Sequence, residues 1–179
     1  DEAWIKEAER RGLSNYRTTP DCMLHLLDKK NVDMLTSQGV YSETELKSRC
    51  DIMLDNYCKA VLIEAETMVD MAEKQLIPAV EKYVSKICET AISKKNFMPD
   101  ISCDYEHGLA KTLSSLTERG QALTSELKEA VVHVKDFCDI ISEADYIRDG
   151  ILPTMSALRA VVDEAETKTA AYSGPIPTY

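Results

Sequence analysis

From Leu109 to Ala144 the apolar or small positions advance by four and three residues without interruption: Leu109, Leu113, Leu116, Gly120, Leu123, Leu127, Ala130, Val134, Phe137, Ile141 and Ala144. A spacing that averages about 3.5 residues keeps one stripe of a helix turned toward a neighbour. The pattern therefore predicts a helix-packing seam, a surface made to meet another helix rather than a substrate.

The same reading finds helix along most of the chain. Trp4, Ile5 and Ala8 recur at helical spacing and Gly12 follows Arg10-Arg11, so residues 3 to 11 read as a short first helix. Thr19, Pro20 and Asp21 read as N-cap, N1 proline and first-turn acid of a second, carrying Met23, Leu24 and Leu27. Gly39 punctuates the stretch after Met34-Leu35. Ser42-Glu-Thr-Glu45 is then a capping box, with Tyr41 and Leu46 at the staple positions. The helix it opens meets no stop before Lys94-Lys95-Asn96, and some fifty residues would extend on the order of 75 Å. Pro78 removes one backbone donor and is expected to kink this helix rather than end it, because the periodicity resumes at Ala79, Tyr83 and Ile87. Near the midpoint Val61, Leu62 and Ile63 are consecutive, and a helix apolar on several faces is covered from several sides.

Asn96 to Asp104, broken by Pro99, reads as an inter-helix loop, and the seam runs back from Leu109. A further turn is expected between Asp139 and Gly150 and is placed at Ser142, which with Asp145 repeats the cap pattern between Ile141 and Tyr146. Met155, Leu158, Val162 and Ala165 carry a final helix to about Ala171. Tyr172 to Tyr179, with Gly174, Pro175 and Pro177, reads as an extended tail. The fold class expected is all-α: an elongated antiparallel three-helix bundle, residues 41–171, with a long kinked central helix, short N-terminal helices in residues 1–40, and a Pro-rich tail, residues 172–179.

Composition narrows the functional classes. The 179 residues suit one domain with a sizeable core, or one bundle with an appendage. With 21 Lys+Arg against 31 Asp+Glu the net charge is -10, and the basic pairs are short and scattered, which disfavours nucleic-acid binding. The first residues carry neither a basic n-region nor an apolar h-region, and Ala60 to Ile63, the longest uncharged apolar run, is far too short to span a bilayer. A soluble protein without a membrane partner is expected. Six cysteines without tight framework spacing suggest reduced, cytoplasmic thiols. The chain opens without Met, as a piece of a longer one would.

Candidate chemistry is thin. A di-iron bundle needs Glu-x-x-His on two helices, and the nearest approach is a single Asp104-x-x-His107. Cys22-x-x-His25 with Cys103-x3-His107 would supply an acceptable zinc set, although the pairs lie far apart in the chain. His133 shares a helix with Glu129 and Cys138, but a step of five does not bring Cys138 to its face, so His133 reads as a surface residue. Glu64, Glu66, Asp70 and Glu73 read as a solvated face with Asp70-Lys74 pairing, while Glu64 and Gln75 lie near the apolar stripe and could be buried. All six glycines are isolated, so no phosphate loop is formed. No catalytic, cofactor-binding or metal residue is assigned.

Three stretches together resemble the C-terminal region of type III glutamine synthetases: Asp1-Glu-Ala-Trp-Ile-Lys-Glu-Ala-Glu-Arg-Arg-Gly-Leu; Gly39 to Arg49 running on through Glu64-Ala-Glu-Thr-Met-Val-Asp-Met-Ala-Glu-Lys-Gln-Leu-Ile-Pro-Ala-Val80; and Tyr146-Ile-Arg-Asp, Leu152-Pro-Thr-Met, Leu158-Arg159 and Pro175-Ile-Pro-Thr-Tyr179. The family's tail carries Tyr-Trp-Pro where this chain has Tyr172-Ser-Gly-Pro. The resemblance implies a large cytoplasmic ligase that makes glutamine from glutamate, ammonia and ATP with divalent metal such as Mg, its catalytic domain preceding the region matched. Residues 1–40 would then link to that catalytic domain. The chain itself would be a non-catalytic extension, inactive alone, holding no cofactor, with its own catalytic domain and neighbouring subunits of a ring-shaped homo-oligomer as partners. The alternative is a free-standing helical-bundle adaptor or coiled-coil interaction protein.

Overall fold

The computed structural model describes residues 2–170, and they are helical in all but short connections. In order these are α1 (Glu2–Arg10), α2 (Thr19–Leu26), α3 (Lys29–Ser37), α4 (Glu43–Met71), α5 (Ile77–Phe97), α6 (Asp104–His133), α7 (Ile140–Tyr146) and α8 (Leu152–Lys168). A π-helical turn over Ala72–Leu76 joins α4 to α5, another over Ile147–Ile151 joins α7 to α8, and a 3₁₀ turn over Val134–Asp136 follows α6. No strand occurs among the described residues, and the fold is an all-α helical bundle. The chain forms two compact units, one of Asp1–Val61 with Asp136–Arg148, the other of Leu62–Lys135 with the chain from Asp149 onward. The tail expected over 172–179 lies outside the described residues.

The first unit is built on the start of α4. Ser42 and Glu45 close the capping box as expected: the Ser42 amide donates to Glu45 Oε2 at 2.8 Å and the Glu45 amide to Ser42 Oγ at 3.3 Å. Leu46, Cys50, Leu54, Cys58 and Val61 then form a buried stripe with steps of four and three. Each fully buried leucine on it contributes about 1.5–3 kcal/mol relative to exposure. The α2 cap sits one residue earlier than its sequence implied, because Thr18 is the residue with extended backbone and accepts from the Asp21 amide. Thr19 is already helical and Pro20 is buried in the first turn. The α3 helix was not anticipated: Asp28, its N-cap, makes no side-chain cap bond, and none of its residues is buried. It ends at Gly39, whose φ of +66° admits the left-handed turn that an L side chain resists. Gly12, at φ +73°, ends α1 in the same way. The apolar residues of α1 are not core, since Trp4 and Ile5 are exposed.

In the second unit, α6 packs against both α5 and α8. Lys94 pairs with Glu106 and Glu73 with Lys128, so numbers fall along the long helix as they rise along α6, which makes the two antiparallel. Gly120 facing Val161 and Glu126 facing Thr154 give the same sense for α6 and α8. The long helix continues through Pro78, as expected, by way of a π turn. Pro78 cannot donate to the Lys74 carbonyl, and the Ile77 amide reaches back five residues to Ala72. The second π turn stands before Pro153 in the same position.

Two expectations about the seam are corrected. Its buried register is Glu106, Leu113, Leu116, Gly120, Thr124, Leu127, Val131 and Val134, while Leu123 and Ala130 are half-buried. A helix of 3.6 residues per turn drifts against a spacing of 3.5, and a helix gripped on two sides buries the neighbouring row as well. Thr124 enters the core without an orphan hydroxyl, since Oγ1 donates to the Gly120 carbonyl at 2.7 Å. Nor does one helix run to Ala144. It ends at His133, and the turn falls at residues 137–139 rather than at Ser142, because Asp139 takes the cap and accepts from the Ser142 amide at 2.9 Å. Ile141 is exposed, whereas Ala144, Ile147 and Ile151 begin the stripe that α8 carries on through Met155 and Leu158. At the other end α8 stops at Lys168, short of Ala171.

Candidate functional site

The first unit holds a cluster of one thiol and three charged groups. Cys58 is fully buried on α4, and its thiol hydrogen-bonds the Glu143 carboxyl of α7, with Asp55 and Lys59 beside them. Burial, and then the Glu143 and Asp55 charges, push the Cys58 thiol up to about 12. A thiol held protonated in this way is neither a nucleophile nor a metal ligand. Burial also raises Glu143, with Asp55 adding to the effect. Cys50 is likewise buried and raised by burial, and its Sγ donates to the Met23 carbonyl at 3.3 Å, tying α4 to α2. Arg148 bridges Asp21 of α2 and Asp145 of α7 at 2.9 and 2.8 Å. These groups fasten helices together. Cys50 and Cys58 stand four residues on either side of Leu54, which is the signal that would have placed both in the stripe.

The candidate zinc residues have separate occupations. His25 stacks on Tyr16 at 4.0 Å between ring centroids and meets Asp28 at 3.0 Å, while Cys22 is exposed. Cys103 is buried with Sγ near the Ala91 carbonyl, and His107 is exposed on α6. Among the described residues, no group of three or more His, Cys, Asp or Glu is placed to hold a metal ion. His133 and Cys138 are exposed, and Cys138 lies beyond the end of α6.

On the long helix Glu64, Glu66, Asp70 and Glu73 are all exposed, as is Gln75, so the burial expected of Glu64 and Gln75 does not occur. Asp70 pairs with Lys74 as its spacing implied. Glu73 reaches across to Lys128 of α6 at 2.8 Å. The buried Glu106 is held by Lys94, whose hydrogen bond keeps the carboxyl below its usual range.

Among the described residues an open groove of about 440 Å³ lies in the second unit. Ile63, Met68, Met71 and Leu76 line one wall and Leu158 and Val162 of α8 the other. Its rim carries Glu64, Asp163 and Glu166, with Arg159 paired to Asp163 at 3.1 Å. The row of apolar residues at the helix midpoint divides here: Val61 and Val69 are buried, Leu62 is half-buried, and Ile63 stays 64% exposed. Such a groove offers apolar contact and little acid, base or ligand chemistry. No helix among the described residues is long and apolar enough to cross a membrane.

The family model described as glutamine synthetase C-terminal domain matches residues 1–96. The chain is 33% identical over 177 residues to a glutamine synthetase of Butyrivibrio fibrisolvens, covering 98% of this chain and 25% of that protein. It is 27% identical to the type-3 glutamine synthetase of Dictyostelium discoideum, over 98% of this chain and 24% of the relative. A glutamine synthetase of Bacteroides fragilis (strain YCH46) is 25% identical over 99% of this chain and 25% of its own length. The chain thus spans about a quarter of the length of the curated relatives it matches.

Proposed function

Because this chain belongs to the glutamine synthetase C-terminal domain family, we propose that it is the non-catalytic helical extension of an ATP-dependent glutamate–ammonia ligase. In this reading its work is structural, through contacts with its own catalytic domain and with neighbouring subunits in the cytoplasm. ATP and Mg would be held by the longer enzyme. The reading rests on one observation above the rest: nearly the whole chain aligns with a quarter of proteins named glutamine synthetase. The engagement of its polar groups in caps, ion pairs and buried fastenings supports it. So does the hairpin end joining α5 to α6, where Ile92, Phe97, Met98 and Tyr105 are all more than half exposed. An apolar group of that kind suits a subunit contact.

The test has two arms. Glutamine formation with ATP, glutamate, ammonia and magnesium is measured on the 179-residue chain alone, where no turnover above a buffer blank is expected; turnover would refute the non-catalytic role. In the longer enzyme, Phe97→Asp with Tyr105→Asp is expected to lower the assembly state in sedimentation. Unchanged assembly would refute the contact role of this hairpin end.

A further inference from the structure

The groove between α4 and α8 is an apolar surface that no described element covers, with Ile63 64% and Met71 43% exposed along it. Because α6 is antiparallel to both the long helix and α8, those two run parallel, and the channel between them has the shape that a further helix fills. Met68 and Met71 line it with flexible thioethers that adapt to the side chains they meet. Charge sets what such a helix must carry. Of the four charged residues lining the groove, three are acidic. Arg159 is paired with Asp163, whereas Glu64 on the α4 wall and Glu166 on the α8 wall have no cationic partner among the described residues. We propose that this groove docks a basic amphipathic helix of a partner protein, its apolar row on Met68, Met71 and Val162 and a lysine or arginine near each end on Glu64 and Glu166.

The two carboxylates fix the spacing. Leu76 and Val162 line both the groove and the crevice adjoining it, so they stand at about one level of the parallel helices. At about 1.5 Å per residue, Glu64 lies roughly 18 Å before that level and Glu166 roughly 6 Å beyond it, an interval that a helix of about sixteen residues spans. An apolar row at helical spacing along that helix meets the methionines, and basic residues at its two ends come within reach of the two carboxylates. A second copy of the chain is the poorer occupant, because it brings a net charge of -10 to an acidic rim. A small apolar ligand is poorer too, since the acids stand at opposite ends and few polar groups between them would fix its orientation. The inference goes beyond the proposed function and does not depend on it.

The experiment measures, by fluorescence anisotropy on the 179-residue chain, the binding of a labelled leucine–lysine peptide of about sixteen residues, with leucines in one helical row and lysines at both ends. Binding is expected, and a peptide of the same composition with the row scrambled should bind about tenfold more weakly. Glu64→Gln with Glu166→Gln should weaken binding about threefold or more. Ile63→Asp with Met71→Asp should weaken it about tenfold or more, although that pair adds negative charge; both residues are exposed, so the far-UV spectrum should not change. Glu89→Gln with Glu129→Gln, an exposed pair outside the groove with the same change of charge, should alter binding less than twofold. No binding, equal binding of the scrambled peptide, or the same loss from the Glu89 and Glu129 pair as from the rim pair would overturn the proposal, the last by reducing the attraction to net charge. Sedimentation in which the unliganded chain self-associates and Ile63→Asp with Met71→Asp makes it monomeric would overturn it too, by assigning the groove to a second copy.

Discussion

Replacing Gly120 with alanine should make the protein more stable, which is unusual for a glycine at a helix crossing. Gly120 lies in the interior of α6 facing α8, and a Cβ built there meets only Val161 Cγ1, at 3.8 Å, an ordinary van der Waals contact. Beside it is a crevice of about 20 Å³ lined by Leu116, Val80, Val161 and Ala165 among others. Glycine in a helix interior is about 0.8–1.0 kcal/mol less favourable than alanine. Filling some 20 Å³ at about 24 cal/mol per Å³ adds about 0.5 kcal/mol. The expected gain is about 1.3–1.5 kcal/mol, read as a higher urea midpoint with an unchanged slope. Gly108 is the control, since it sits on the same helix with nothing within 4 Å of its would-be Cβ, so Gly108→Ala should gain about 0.8–1.0 kcal/mol from propensity alone. The excess of Gly120→Ala over Gly108→Ala reports the α6–α8 contact. A Gly120→Ala protein less stable than the original would mean that the helices cross more closely than described, and the packing argument would fail.

Ser42→Ala should lose about 1 kcal/mol through the α4 cap; an unmoved denaturation midpoint would show that the capping box contributes nothing. Leu116→Ala should cost about 2–5 kcal/mol, because its side chain packs with Val161 and Ala165, and the half-buried Leu123→Ala should cost less; the reverse order in urea melts would contradict the register of α6. Native-state alkylation followed by mass spectrometry should modify Cys22, Cys88 and Cys138 and spare Cys50, Cys58 and Cys103, and early labelling of Cys58 would contradict its burial. The Glu143 carboxyl is raised in the folded state, so its favourable protonated form is fully present below the unfolded carboxyl range and is lost as pH rises through the folded value; Glu143→Gln should therefore gain on the original protein as pH climbs from about 4 toward neutrality, and a constant difference would refute the assignment.

Most of the helices were legible because their ends and stripes are written in local residues. The Ser42–Glu45 box, the glycine after α1, and the persistence of the long helix through Pro78 each follow from a handful of neighbouring side chains. What was not legible depended on choices between near-equivalent neighbours. Thr18 and Thr19 are both threonines before Pro20, and only the backbone of Thr18 is extended. Asp139 and Ser142 are both good caps, and Asp139 holds the Ser142 amide, so the second candidate is consumed as N3 of the first. The seam's spacing crossed the turn at 137–139 unbroken because Ala144 belongs to a new stripe that happens to keep the same beat. Spacing alone cannot distinguish one long helix from two in phase; the break is carried by Asp139, not by the apolar residues.

The buried stripe of α4 went unread for a different reason. Cys50 and Cys58 enter the sequence reading only as two of six reduced thiols, so the row Leu46, Cys50, Leu54, Cys58, Val61 is not counted there as apolar. Cysteine is among the most buried of residues and packs as a small hydrophobe. Here it does so while its S–H is given to the Met23 carbonyl or to Glu143, which leaves no thiolate to react. The same distinction bears on the candidate site. The titratable groups singled out at the start are spent on caps, on ion pairs or on solvent, while the surfaces able to receive a partner are marked by exposed apolar residues: Ile92, Phe97, Met98 and Tyr105 at the hairpin end, and Ile63 and Met71 along the groove. An apolar residue in the wrong place for the core is therefore the stronger pointer to function in this bundle, and the exposed Phe97 and Tyr105 are where that argument can be tested.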